Sequence, residues 1–168
     1  FWSIQPVFHV SDIHYWIYPI GLIKTSLGDK NIYVDAEHVD TVDTHECSND
    51  IFDEVTLFIK DHFLKSDEFV YAPSRDDLFN TLHTDEKNNS YISLYRNDSG
   101  LCSVITSTSY VIWIDDTRKS INYVDHLCVR TDIRNKLIAP KSISTMIYNI
   151  HNQNNPTNAI RNRTTKAL

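Results

Sequence analysis

The stretch Gly100–Ile114, GLCSVITSTSYVIWI, constrains the fold more than any other. Val, Ile, Thr, Tyr and Trp crowd it, side chains that fit a pleated surface and lose rotamer freedom in a helix. Turn chemistry bounds it on both sides: Asn97-Asp98-Ser99-Gly100 before, Asp115-Asp116-Thr117-Arg118-Lys119 after. The flanking segments also read as strands. SYISLYR alternates, and SINYVDHLCV is apolar at its end. Connections this short join antiparallel neighbours, because a parallel return needs a crossover of about a dozen residues or more. Strands are therefore expected at Tyr91–Tyr95, Leu101–Ile114 and Ser120–Val129.

Helical patterns flank these strands. In SNDIFDEVTLFIKDHFLK, Ser48, Asn49 and Asp50 offer N-caps, and Phe52, Val55, Ile59 and His62/Phe63 share one face. A shorter helix starts at Ser74, with Asp77 as the capping-box acid and Leu78 and Leu82 at i, i+4. After the strands, Ile143, Met146, Ile147 and Ile150 recur at i, i+3, i+4, i+7, and Pro140 suits a first helical turn. The order is helix, helix, three antiparallel strands, helix. It predicts an α+β fold with helices packed on a mainly antiparallel, twisted sheet. Residues 1–45 lack clean periodicity and are broken by Pro6 and Pro19, which predicts an extended arm ahead of a domain at 46–168. The tail from Ile160 reads as a last strand or as unstructured.

Composition narrows the class. The chain is 41% hydrophobic and 23% charged, which suits a globular protein. A net charge of −6 argues against a general nucleic-acid binder. No apolar run reaches the roughly 18–20 residues of a transmembrane helix. Cys47, Cys102 and Cys128 are odd in number and far apart, the pattern of reduced thiols in a cytoplasmic protein. No His or Cys pair has metal-ligand spacing, so no metal is expected, and the acid-rich DAEHVDTVDTHE lacks the pattern of a calcium loop. Only three Gly are present, so Asn, Asp and Ser must build the turns.

Against this acidic background, Arg130, Arg134, Lys136 and Lys141 gather in VDHLCVRTDIRNKLIAPKSI, between a strand and a helix start. A helix N-terminus offers unpaired N–H groups and partial positive charge, and phosphate is its usual ligand. The alternative is a solvated loop balancing Asp125 and Asp132. His126 and Cys128 lie on the same strand. Asp125 and His126, as neighbours on a regular strand, point to opposite faces and make no dyad. Cys128 suits a small core residue better than a nucleophile.

The segment Arg134–Ala139 resembles the acyl-CoA pyrophosphate motif of the GNAT acyltransferase superfamily, with Leu137 where Gly is usual. One branch lacks that Gly, the eukaryotic N-myristoyltransferases, and three further blocks resemble it in order: FWSIQPV at Phe1–Val7, VDTVD at Val39–Asp43, and SDEFVYAPSRDDLFNTL. The resemblance implies a GNAT-like fold that binds myristoyl-CoA as co-substrate and passes the acyl group to an N-terminal glycine amine of a peptide. It implies pyrophosphate contacts at Arg134, Asn135, Lys136, Leu137, Ile138 and Ala139, with Phe1 and Trp2 near the adenine. It implies an oxyanion hole at the main-chain N–H groups of His126 and Leu127, and an acyl chain between sheet and helices. The family usually has Phe at His126 and Asn at Asp125, and its acidic loop is reduced here to Asp67 and Glu68. The family is built of two such halves, the second completing the peptide groove and carrying the general base. The chain ends at Leu168, short of that half. Slow or no transfer is therefore expected of it, as a fragment or a shortened relative. Two alternatives stand beside the transferase: an acyl-CoA-binding module without activity, and a small-group GNAT N-acetyltransferase.

Overall fold

In the computed structural model, the described residues are Phe1, Ile13–Ile17, 30–64, 66–83 and 88–153. Trp2 and the tail from Ile160 lie outside them. A short helix, α1, covers Ile13–Ile17. The remaining elements are β1 (Val39–Asp43), α2 (Asn49–His62), α3 (Arg75–Leu82), β2 (Tyr91–Asn97), β3 (Gly100–Ile114), β4 (Thr117–Val129) and α4 (Ile138–Gln153). The four strands form an antiparallel sheet in the order β1-β2-β3-β4.

The expected strands and helices appear near their expected limits; α1 is a helix inside the stretch read as an extended arm, and three further differences concern the sheet. Val39–Asp43, inside the stretch read as an arm, is a sheet strand, and Val39 is buried. Its two buried positions, Val39 and Thr41, alternate, but five residues are too few to stand out among the acids around them. The second turn is shorter than the five residues expected. Asp115 (φ 46°) and Asp116 (φ 61°) alone make it, both left-handed as a type I′ turn requires, and Thr117 already pairs with Ile114. The third difference is a bulge. Val104 pairs with Cys128 but Thr106 with Asp125, so His126 and Leu127 together face Ile105. His126 has φ 48°. The opposite-face rule for Asp125 and His126 fails here, because it holds only for a regular pleat.

Both helix starts ahead of the sheet follow their cap chemistry. Ser48 Oγ accepts from the Ile51 N–H at 3.4 Å. Ser74 Oγ accepts from the Asp77 N–H, and the Asp77 carboxylate accepts from the Ser74 N–H, each at 3.1 Å, closing a capping box.

Helices cover both faces of the sheet. Phe52, Val55, Phe58 and Ile59 of α2, with Leu78 and Leu82 of α3, pack on Ile92, Leu94, Val104 and Cys128. On the other face, Met146 of α4 meets Tyr91 and Ile105. That second interface is more polar than the periodicity of α4 predicts. Ser142 donates to Ser103 Oγ at 3.1 Å, Asn149 donates to Thr41 Oγ1 at 3.0 Å, and Thr41 and Ser93 hydroxyls lie 2.7 Å apart. Of the two interfaces, the α2/α3 side is the more apolar. Burial from both faces also explains why Cys102 to Ser109 is buried without a break.

Candidate functional site

The end of β4 runs through a short 3₁₀ turn, Thr131–Ile133, into the loop before α4. In that loop Asn135 has φ 67° and Leu137 φ 60°. Asn tolerates the left-handed region; Leu does so only at a cost of about 1–2 kcal/mol. A leucine held in the conformation that favours glycine marks a backbone path fixed by its surroundings. The Lys141 N–H donates to the Leu137 carbonyl at 3.1 Å, so the helix is engaged from its first turn.

The four cations are not equivalent. Arg130 is spent on Asp132 and on Ser99: its Nε donates to Asp132 Oδ1 at 2.7 Å, and its other nitrogens to the Ser99 carbonyl and hydroxyl. Lys141 donates to Asp35 Oδ2 at 2.8 Å, away from the loop's end. Arg134 is a strut: it donates to the Val129 carbonyl at 3.2 Å and the His62 carbonyl at 2.9 Å, tying the end of β4 to the end of α2. Lys136 is exposed on the loop. Its charge helps, after the hydrogen bond from Arg130, to hold the Asp132 carboxyl below its usual range.

A cleft of about 900 Å³ opens between these elements, lined by the end of α2 (Asp61 to Leu64), by Leu127–Val129, and by the loop into Pro140. Arg134, Asn135, Leu137, Ile138 and Ala139 are among its walls. Phe1 lies elsewhere, edge-on to Tyr33 with ring centroids 5.5 Å apart. The His62 ring, also on the cleft, is held below its usual pKa by burial, with Arg130 and Arg134 adding to the effect and Asp61 opposing it. Nothing in the sequence singled out Asp61 to Leu64 as a wall, because the contact joins segments far apart in the chain.

At the Leu127 end, the bulge places three groups that the sequence reading did not join. The His126 N–H donates to Asp125 Oδ1 at 2.7 Å, so the first of the two expected oxyanion donors is covered by a carboxylate of the same chain. The His126 ring is buried and lies 3.2 Å from the Tyr71 hydroxyl and 2.9 Å from the Thr106 hydroxyl. Burial pulls its pKa down, against the opposing pull of Asp125, so the ring is neutral near pH 7. Cys128 is buried in the core cluster, and burial pushes its thiol up to about 12, which leaves no thiolate for a nucleophile. No group of His, Cys, Asp and Glu able to hold a metal occurs among the described residues.

No family model matches the sequence, and no curated protein matches it significantly. Solved structures do match. Saccharomyces cerevisiae N-myristoyltransferase with bound myristoyl-CoA superposes with a TM-score of 0.64 at 13% identity, over 90% of this chain. A second structure of that enzyme, with myristoyl-CoA and inhibitors, gives 0.65 at 13% identity over 89%. The fold is that of the N-myristoyltransferases. A third structure of the yeast enzyme gives 0.60 at 15% identity over 90% of this chain. The chain spans 37% of the length of the first of these structures and 35% of the third. The likeness is one of fold, at an identity too low to carry residue roles across.

Proposed function

We propose that this chain is an acyl-CoA N-acyltransferase domain of the N-myristoyltransferase type. It holds a long-chain acyl-CoA, myristoyl-CoA in the first instance, and directs the thioester to an N-terminal glycine amine. The observation that carries this reading is the loop Arg134–Ala139. It follows a bulged strand, keeps a glycine-like backbone at Leu137, opens a helix and borders the cleft.

In this reading the pyrophosphate rests on the loop N–H groups from Asn135 to Ala139, with Lys136 facing it and Arg134 holding the walls apart. The acyl chain enters the cleft toward the apolar α2 side, between Phe63, Leu127 and Cys128. Thioester polarisation needs donors aimed at the developing oxyanion. Leu127 at the bulge is the donor assigned here, and His126 joins it only where the Asp125 carboxylate swings away. The domain begins no later than Val39. No described helix is long and apolar enough to cross a membrane, and a cytoplasmic acceptor peptide fits the free cysteines.

Mass spectrometry of the protein purified under non-denaturing conditions tests the ligand class. Retained acyl-CoA of long chain length is the expected mass. Acetyl-CoA alone would instead favour a small-group acetyltransferase.

A further inference from the structure

The hydrogen bonds around His126 fix its protonation. The Thr106 hydroxyl lies 3.1 Å from the Asp125 carbonyl, a pure acceptor, and 2.9 Å from His126 Nδ1. Its one hydrogen goes to the carbonyl, so its oxygen accepts from Nδ1–H. Nε2 then carries the lone pair and accepts from the Tyr71 hydroxyl at 3.2 Å. Tyr71 stacks on the imidazole with centroids 5.7 Å apart, and Phe63, a wall of the cleft, sits edge-on to both rings. A ring serving only to fill this space needs no nitrogen, since its neighbours are aromatic. Instead a chain of four groups runs from the half-buried Tyr71, whose ring meets the cleft wall at Phe63, to the backbone of β4.

We propose that Tyr71, His126 and Thr106 form a proton relay that serves acyl transfer, with Tyr71 the catalytic residue and His126 and Thr106 positioning it. The inference rests on the acyl-CoA reading above. As the amine nitrogen bonds to the thioester carbon, Tyr71 Oη takes a proton from nitrogen while its own proton passes to His126 Nε2. The imidazolium keeps Nδ1–H on Thr106, and the nearby Asp125 carboxylate offsets its charge. The C–S bond then breaks, and the coenzyme A thiolate recovers the proton through Tyr71. The products are an amide and a free thiol, and the relay returns to its starting state. Burial disfavours the imidazolium at rest, which suits a proton held only in passing. The groups that face the relay are Tyr71 itself, Asp125 beside the imidazole, and Asp77, whose charge reaches Tyr71.

The test follows coenzyme A release from myristoyl-CoA with a glycyl peptide, alongside calorimetric binding of myristoyl-CoA. Against the slow or absent transfer expected from the missing second half, the relay predicts that wild type binds and turns over, and that His126→Phe and Tyr71→Phe lower kcat by about 10²-fold each with binding unchanged. Added imidazole is expected to restore His126→Ala but not Tyr71→Phe, a rescue that a merely structural ring would not show. Circular dichroism confirms that each variant is folded, and nitrogen NMR of wild-type His126 is expected to show the neutral Nδ1–H form. A His126→Phe variant with wild-type kcat, or a wild type that binds myristoyl-CoA without releasing thiol, overturns the relay and leaves the ligand reading standing. A wild type that does not bind myristoyl-CoA overturns both.

Discussion

Leu137 carries a cost that its side chain does not repay, being 57% exposed with φ 60°. Replacing it by Gly removes a left-handed penalty of about 1–2 kcal/mol and adds about 0.5–1 kcal/mol of unfolded-state entropy. Leu137→Gly is therefore expected to leave stability unchanged or raise it by up to about 1.5 kcal/mol in urea unfolding. Leu137→Val, β-branched at the same φ, is expected to destabilise. Asp35 gives a second residue-scale prediction. Burial works to raise its carboxyl, but hydrogen bonds from Lys141 and His38 prevail and hold it at about 2. A carboxyl depressed below its ordinary 3.8 contributes stability above that value and loses it as pH falls toward 2. Unfolding by urea between pH 2 and pH 5 is expected to show a flatter acid slope in Asp35→Asn than in wild type. Equal slopes would deny the ion pair with Lys141 that role.

At the scale of elements, legibility tracked how local the cause was. The caps at Ser48 and Ser74, the strands around GLCSVITSTSYVIWI and the start of α4 all rest on chemistry within a few residues, and all were readable. Ser74→Ala is expected to cost about 1 kcal/mol, since it opens the capping box of the eight-residue α3. Ile59→Ala, fully buried on α2, is expected to cost about 2–5 kcal/mol. Both are read from equilibrium unfolding, and an Ile59→Ala cost below that of Ser74→Ala would contradict the packing of α2 on the sheet. The bulge at His126 was not readable. A bulge is a mismatch in count between two strands, and neither strand shows it alone. With it went Tyr71 and Thr106, which the bulge brings to one imidazole from loop and strand. The fate of the four cations was equally hidden: which of Arg130, Arg134, Lys136 and Lys141 face a ligand depends on where Asp132, Asp35 and the His62 carbonyl end up.

At the scale of the molecule, two helical layers enclose a sheet whose last strand opens beside a helix N-terminus. That geometry makes one place in the chain both cationic and concave. The α2 side supplies an apolar floor, the loop into α4 supplies N–H groups, and Arg134 braces the two. Acyl-CoA pyrophosphate seated on this loop would face Lys136, and Lys136→Glu is the sharpest probe of it, because it reverses an exposed charge and disturbs none of the packing described. Calorimetric titration with myristoyl-CoA at low and high salt is the measurement. An affinity loss of about tenfold or more is expected at low salt, narrowing as salt screens the reversed charge. Equal affinity of wild type and Lys136→Glu at low salt would contradict it.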